Sequence, residues 1–146
     1  MKHKKVYIAG PFFNEAQLAI IEEIKQQLDS VGIKYFSPKD ESMFKQGDAP
    51  DKILRLNCEA INSAPFVVVV TDDKDVGTMW EAGYAYAKKK PILYVWLGYK
   101  PWMKFNLMLG ASGYAVHTYA DMLYQICRFM EIGEFKDINS EGMLYE

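Results

Sequence analysis

Short apolar runs alternate along the chain with longer stretches in which apolar residues return every third or fourth position. Lys5 to Ala9 (KVYIA) has the look of a strand and is ended by Gly10-Pro11. Leu18, Ile21, Ile24 (or Lys25), Leu28 and Val31 then share one helical face, opened by Asn14 and Gln17 as an N-cap pair and stopped by Gly32. Ile33 to Ser37 predicts a second strand, closed by Pro38. The polar stretch from Lys39 to Asp51 predicts a surface excursion, followed by a helix carrying Ile53, Leu54, Leu56, Ala60 and Ile61. Phe66 to Thr71 is an unbroken apolar, β-branched run, the pattern of a strand covered on both faces. A helix over about Thr78 to Lys89 carries the small residues Ala82, Gly83, Ala85 and Ala87. Pro91 to Leu97 is a fourth strand, Tyr114 to His117 a weak fifth, and Tyr119 to Met130 a last helix. The C-terminal Asn139 to Glu146 reads as a frayed end unless it docks, and its Met143-Leu144-Tyr145 is apolar for one.

Strands alternating with helices call for right-handed crossovers and a parallel sheet. The expected fold class is α/β, a flavodoxin-like three-layer sandwich with a five-stranded parallel sheet in the order 2-1-3-4-5, forming one domain over residues 1–146. In that order strands one and three are neighbours. Their loops converge at the carboxyl edge of the sheet, where such folds hold ligands.

Half of the 146 residues are hydrophobic, enough for one substantial core. Lys+Arg (17) nearly balance Asp+Glu (19), so no basic field invites nucleic acid, and a small neutral or mildly charged ligand fits better. Cys58 and Cys127 stand far apart without metal-ligand spacing, and the basic start Met1 to Lys5 is not followed by a signal core. No apolar run is long enough for a bilayer, and a cytoplasmic location is expected.

The most informative stretch is Asp75 to Ala85, which follows the Phe66 run and opens a helix. It places Asp75 and Glu81 where a buried strand ends, next to a helix dipole that favours an ionised carboxylate and hence a nucleophile. Thr78-x-x-Glu81 is also a capping box, so the residues alone leave both roles open. The first loop, Gly10 to Gln17, lacks GxGxxG and GxxxxGK[ST], which disfavours a nucleotide cofactor. Phe12 and Phe13 suit either core packing or a stacking face for a planar ring. Asn57 is polar on an apolar helix. His3 and His117 have no partner at ligand spacing, and no metal site is expected.

Four segments in register resemble the nucleoside 2-deoxyribosyltransferase family. They are Tyr7-Ile8-Ala9-Gly10-Pro11-Phe12-Phe13-Asn14-Glu15-Ala16-Gln17, Asp75-x-Gly77-x-x-x-Glu81-x-Gly83, Asn106-Leu107-Met108 and Glu141-Gly142-x-x-Tyr145. The resemblance implies a cofactor-free enzyme, a hexamer built as a trimer of dimers (or a dimer), that moves 2-deoxyribose from a deoxynucleoside donor to a free nucleobase acceptor. It makes Glu81 the nucleophile, Asp75 the acid on a sugar hydroxyl and Tyr7 the tyrosine that orients Glu81. Gly10, Phe12, Phe13, Asn57 and Gly77 fall at substrate-binding positions, with Phe13 on the base. Asn106 and Met108 match residues supplied by a neighbouring subunit, the asparagine near the sugar 5′-hydroxyl, and Tyr145 matches the terminal tyrosine.

Two positions depart from the family pattern. Asn57 stands where an aspartate assists the leaving base, and an amide hydrogen-bonds without delivering a proton. Glu146 extends the chain one residue past Tyr145, and its carboxyl is expected near the base in compensation. Ser42 falls where relatives carry a polar loop residue, often glutamine. Two rivals share the resemblance. One is a 2-deoxynucleoside 5-phosphate N-hydrolase, for which Pro11-Phe12-Phe13 offers no cation or hydroxyl; the other is a silent nucleoside-binding module.

Overall fold

In the computed structural model, which describes residues 4–146, the strands of the main sheet sort their side chains to two opposite helical layers. In β1 (Val6–Ala9), Val6 and Ile8 join a cluster with Val68, Val70, Leu93 and Val95. That cluster packs on α1 (Glu15–Ser30) and α6 (Tyr119–Ile132) through Ile21, Ile24, Met122 and Ile126. Tyr7 and Ala9 face the other way, with Val67, Val69, Ile92 and Tyr94, against α3 (Pro50–Ser63) and α4 (Val76–Ala87). Alternation with period two therefore places the Tyr7 ring in the α3/α4 layer.

The parallel strands β1, β2 (Tyr35–Phe36), β3 (Val67–Val70), β4 (Ile92–Val95) and β6 (Tyr114–Val116) form a sheet ordered β2-β1-β3-β4-β6. This is the expected 2-1-3-4-5 arrangement. The last label shifts because a short strand, β5 (Lys104–Phe105), lies outside the main sheet. β5 pairs in parallel with β7 (Leu144–Tyr145), so the C-terminal segment docks rather than frays.

Some expectations need correction. The excursion after Pro38 contains a short helix, α2 (Pro38–Glu41), which Pro38 starts because its fixed φ suits a first helical turn. Asn106-Leu107-Met108 begins a helix, α5 (Leu107–Ser112), that no apolar period announced. The second strand shrinks from five expected residues to two, because only Tyr35 and Phe36 find partners on β1. His3 and the start of the basic segment lie outside the described residues. Among the described residues no helix is long and apolar enough to cross a membrane.

Candidate active site

The carboxyl ends of β1 and β3 each lead into a loop, and the two loops are tied together. Asn14 caps α1 by accepting from Gln17 N at 2.9 Å, while Gln17 Oε1 accepts from Phe13 N at 2.8 Å. The Gln17 amide then donates to Asp73 Oδ2 at 2.9 Å, joining the first loop to the turn before α4. Asp73 and Lys74 in that turn adopt left-handed backbone, with φ of 69° and 46°. Such conformations cost energy and persist only where surroundings hold them. Gly10 lets the end of β1 pack closely on α1 and β3: a Cβ there would stand 2.8 Å from Ile21 and 3.1 Å from Val70.

Asp75 caps α4, its Oδ2 accepting from Thr78 N at 2.9 Å and Thr78 Oγ1 at 2.8 Å. The helix thus starts two residues earlier than expected, and the Thr78-x-x-Glu81 capping box does not form. The dipole of the helix start acts on Asp75, whereas Glu81 lies beyond the first turn, where that effect has faded. Thr78, Ala82 and Ala85 are the buried face of α4, and Glu81 shares it. Glu81 Oε2 accepts a hydrogen bond from the hydroxyl of Tyr7, which is fully buried and stacks on Phe36.

Burial, with the charge of Asp75 adding to it, pushes the Glu81 carboxyl up to about 7 against the pull of the Tyr7 hydrogen bond. Burial and the Glu81 charge together push the Tyr7 phenol up, so it remains a donor. The helix dipole was expected to favour an ionised carboxylate at this edge; at Glu81 desolvation wins instead. Burial also raises the Cys58 thiol, opposed by Tyr84 and reinforced by Glu81, which places this turn of α3 within the field of the glutamate. One residue earlier, Asn57 Oδ1 lies 2.5 Å from Ser42 Oγ, at the end of α2.

Other expected residues line the rim. Phe12 and Phe13 stack with ring centroids 5.2 Å apart, and Phe13 is 73% exposed, so the core-packing alternative fails for it. Gly77 sits beside the Asp75 carboxylate, 3.4 Å from where its Cβ would be. Asn106 caps α5, accepting from Met108 N and Leu109 N at 2.9 and 3.2 Å. Met108 points outward, 75% exposed. Tyr145 lies across α5, where only a glycine at 110 leaves room for its ring: a Cβ there would overlap the ring edge. Glu146 closes the pairing, donating its N–H to Phe105 O and accepting from Leu107 N, while its carboxylate lies 3.9 Å from Lys74 Nζ.

Tyr7, Glu81 and Asp75 are therefore brought together, with Asn57 on the neighbouring helix. Asn106, Met108 and Tyr145 form a second group on α5 and the tail. Gln17 and Thr78 were expected only as helix-start residues; their contacts with Asp73 and Asp75 were not. The spacing Asp75-x-x-Thr78 is an N-cap signal that could have identified the second.

The fold has well-matched solved relatives. A 2-deoxyribosyltransferase from Bacillus psychrosaccharolyticus superposes with TM-score 0.69 at 23% identity, covering 97% of each chain. A conserved protein from Enterococcus faecalis gives 0.74 at 22% identity, over 86% of this chain and 98% of that one. A CMP N-glycosidase from Clostridium botulinum gives 0.60 at 19% identity, over 86% and 99%. At such identities the likeness speaks for the fold. No curated protein matches the sequence. Residues 6–121 match the family model described as nucleoside 2-deoxyribosyltransferase, and the chain belongs to that family of glycosyl-transferring enzymes.

Proposed function

We propose that the chain moves 2-deoxyribose between nucleobases by two displacements at C1′, through a covalent ester on Glu81. The observation that carries this is the buried Tyr7–Glu81 pair at the carboxyl edge of the sheet. Tyr7 fixes Oε2 and leaves Oε1 to attack. In the first step the C1′–N bond breaks, its electron pair leaves with the base, and Oε1 bonds to C1′. In the second, the nitrogen of an acceptor base attacks C1′ from the opposite face and expels the carboxylate, restoring the β-configuration. The transition state resembles an oxocarbenium ion, which an adjacent carboxylate stabilises before capturing it. Asp75 keeps Oδ1 for a sugar hydroxyl while Oδ2 caps the helix. Phe13 offers an exposed ring for the base.

The group on α5 serves the site of a second copy. Val76, Trp80 and Tyr86 of α4 and Leu107 and Met108 of α5 are between 51% and 84% exposed, an apolar surface that a homo-oligomer would cover. Asn106 then presents its remaining amide donors across that interface.

Water attacking the same ester would make hydrolysis a side reaction. A 5′-phosphate substrate is disfavoured because Gly10 to Gln17 contains no cationic or hydroxyl side chain. The test mixes thymidine or deoxyinosine with a second base and follows both nucleosides by chromatography. A deoxyribosyl adduct on Glu81 in intact-protein mass spectra supports the proposal; base exchange that persists in Glu81→Ala sinks it.

A further inference from the structure

Asn57 and Ser42 are placed so that the polarity of the amide is fixed. The contact between Ser42 Oγ and Asn57 Oδ1 is 2.5 Å, at the short end of the O–H···O range and below that of N–H···O. The alternative acceptor for the serine, Pro38 O, lies 3.4 Å away. The hydroxyl therefore donates to Oδ1, and both hydrogens of Asn57 Nδ2 point elsewhere. They have no protein partner among the described residues, and Nδ2 is not among the fully buried unpaired polar atoms, so it keeps some access to solvent.

Ser42 itself is held firmly. It is 5% exposed and terminates α2, which is pinned to α1 and β1 by charge. Lys25, 6% exposed, pairs with Asp40 and with Glu22 at 3.1 Å; Lys39 reaches Glu22 at 3.4 Å and Lys5 reaches Glu41 at 2.7 Å. Three acids of α2 and α3 are paired with cations: Asp40 with Lys25, Glu41 with Lys5, and Asp51 with Arg55 at 3.9 Å. None of these three is hydrogen-bonded to Asn57, whose side-chain partner is Ser42.

Resting on the transferase reading above, we propose that Ser42 locks Asn57 as a donor-only contact to the base. The enzyme then prefers pyrimidine 2′-deoxynucleosides whose base departs as an anion over purine ones. In the first step the electron pair of the C1′–N1 bond passes into the ring and onto the carbonyl oxygen beside N1. Asn57 Nδ2–H hydrogen-bonds that oxygen and keeps its proton; solvent protonates the freed base. A purine gains more from protonation at a ring nitrogen during departure, and an amide has no proton to give. Ser42 is the positioning residue and Asn57 the contact.

The experiment measures kcat/KM for cleavage of 5-methyl-, unsubstituted and 5-fluoro-2′-deoxyuridine and of deoxyinosine. Wild type, Asn57→Asp, Ser42→Ala and Ser42→Thr are compared. Wild type should favour the pyrimidines by about tenfold or more, with rates climbing as the base becomes more acidic. Asn57→Asp keeps the shape and restores a general acid, which should move the purine-to-pyrimidine ratio about a hundredfold toward purines. Ser42→Ala frees the amide to turn its carbonyl to the base and should cost pyrimidine donors about tenfold. Ser42→Thr, which retains the hydroxyl, should recover most of that loss. Equal use of purine and pyrimidine donors, or an unmoved ratio in Asn57→Asp, overturns the inference and leaves the transferase intact. Failure to cleave any donor, with no adduct on Glu81, overturns the transferase reading and this one with it.

Discussion

Around Glu81 the side chains are fixed from within, whereas around Asn106 it is the backbone that is fixed and the side chains are left in solvent. Tyr7 has no exposed surface, and burial lifts the glutamate to about 7. On α5 the order comes from capping by Asn106 and from the β5–β7 pairing, while Met108 stands free. The first region gives up folding stability to hold one poised carboxyl. The second gives up little and presents an apolar platform, the face proposed above to meet a second copy.

The sharpest break of that contrast is Glu81→Gln. The new amide still accepts from Tyr7, so the fold persists, but it cannot form the ester, and base exchange should fall by at least about a thousandfold. Stability should move the other way. A carboxyl whose value rises from 4.5 to about 7 binds its proton more tightly folded than unfolded. The wild type is therefore penalised as pH climbs from the unfolded value through 7, and the penalty persists above. The amide does not titrate, so denaturant melts of Glu81→Gln against wild type should agree below pH 4 and diverge by up to about 3 kcal/mol above pH 7. Equal stability at high pH would show that Glu81 is not held at a cost.

The second region is tested by complementation. If its side chains serve a partner's site, Asn106→Ala and Glu81→Gln each fail alone. After subunit exchange at equal amounts, half the dimers are mixed and each carries one intact site, so about a quarter of wild-type activity should return. Silence after verified exchange means that the two groups act within one subunit, or not together.

The same contrast explains what could be read in the sequence. β1, β3 and β4 are buried on both faces, so their patterns were unmistakable, and the sheet order followed. Asp75 was legible because helix starts leave local marks, whereas Tyr7 came from the family resemblance. The start of α4 was misjudged because Asp75 and Thr78 both look like caps, and only the three-dimensional contact between them decides. α5, β5 and β7 escaped because they are short and stabilised by pairing across some forty positions of sequence (Lys104 with Leu144), not by local period. The Ser42–Asn57 contact likewise joins two elements whose approach no spacing encodes.

A smaller effect sharpens the buried half. Tyr7→Phe leaves the ring on Phe36 and removes only the donor that draws the Glu81 carboxyl down. On the proposed mechanism the carboxylate is the attacking form, so kcat/KM should rise with pH through about 7 in the wild type, with Asp75 and Cys58 the other titratable groups nearby. In the variant that rise should move to higher pH, with a loss at neutral pH of about tenfold, the worth of one charge-assisted hydrogen bond. An unshifted profile would mean that the Tyr7–Glu81 contact has no bearing on ionisation.

Gly110→Ala is the mildest probe, directed at the platform alone. Alanine favours a helix over glycine by about 1 kcal/mol, while its Cβ would overlap the Tyr145 ring and forces that ring aside. Tyr145 is 39% exposed and can swing outward without opening a core, so the two effects nearly cancel in stability and Tm should hold within about 2 °C. The ring no longer lies where the wild type places it, and Tyr145 and Glu146 lose their backing. Hydrogen exchange should quicken at the amides of Glu146 and Leu107, which depend on the β5–β7 pairing, and exchange activity should fall about threefold to tenfold at unchanged Glu81 ionisation. If exchange quickens and activity is untouched, the tail is a clasp for α5 and no part of the site; if neither changes, the ring is not seated on Gly110 at all.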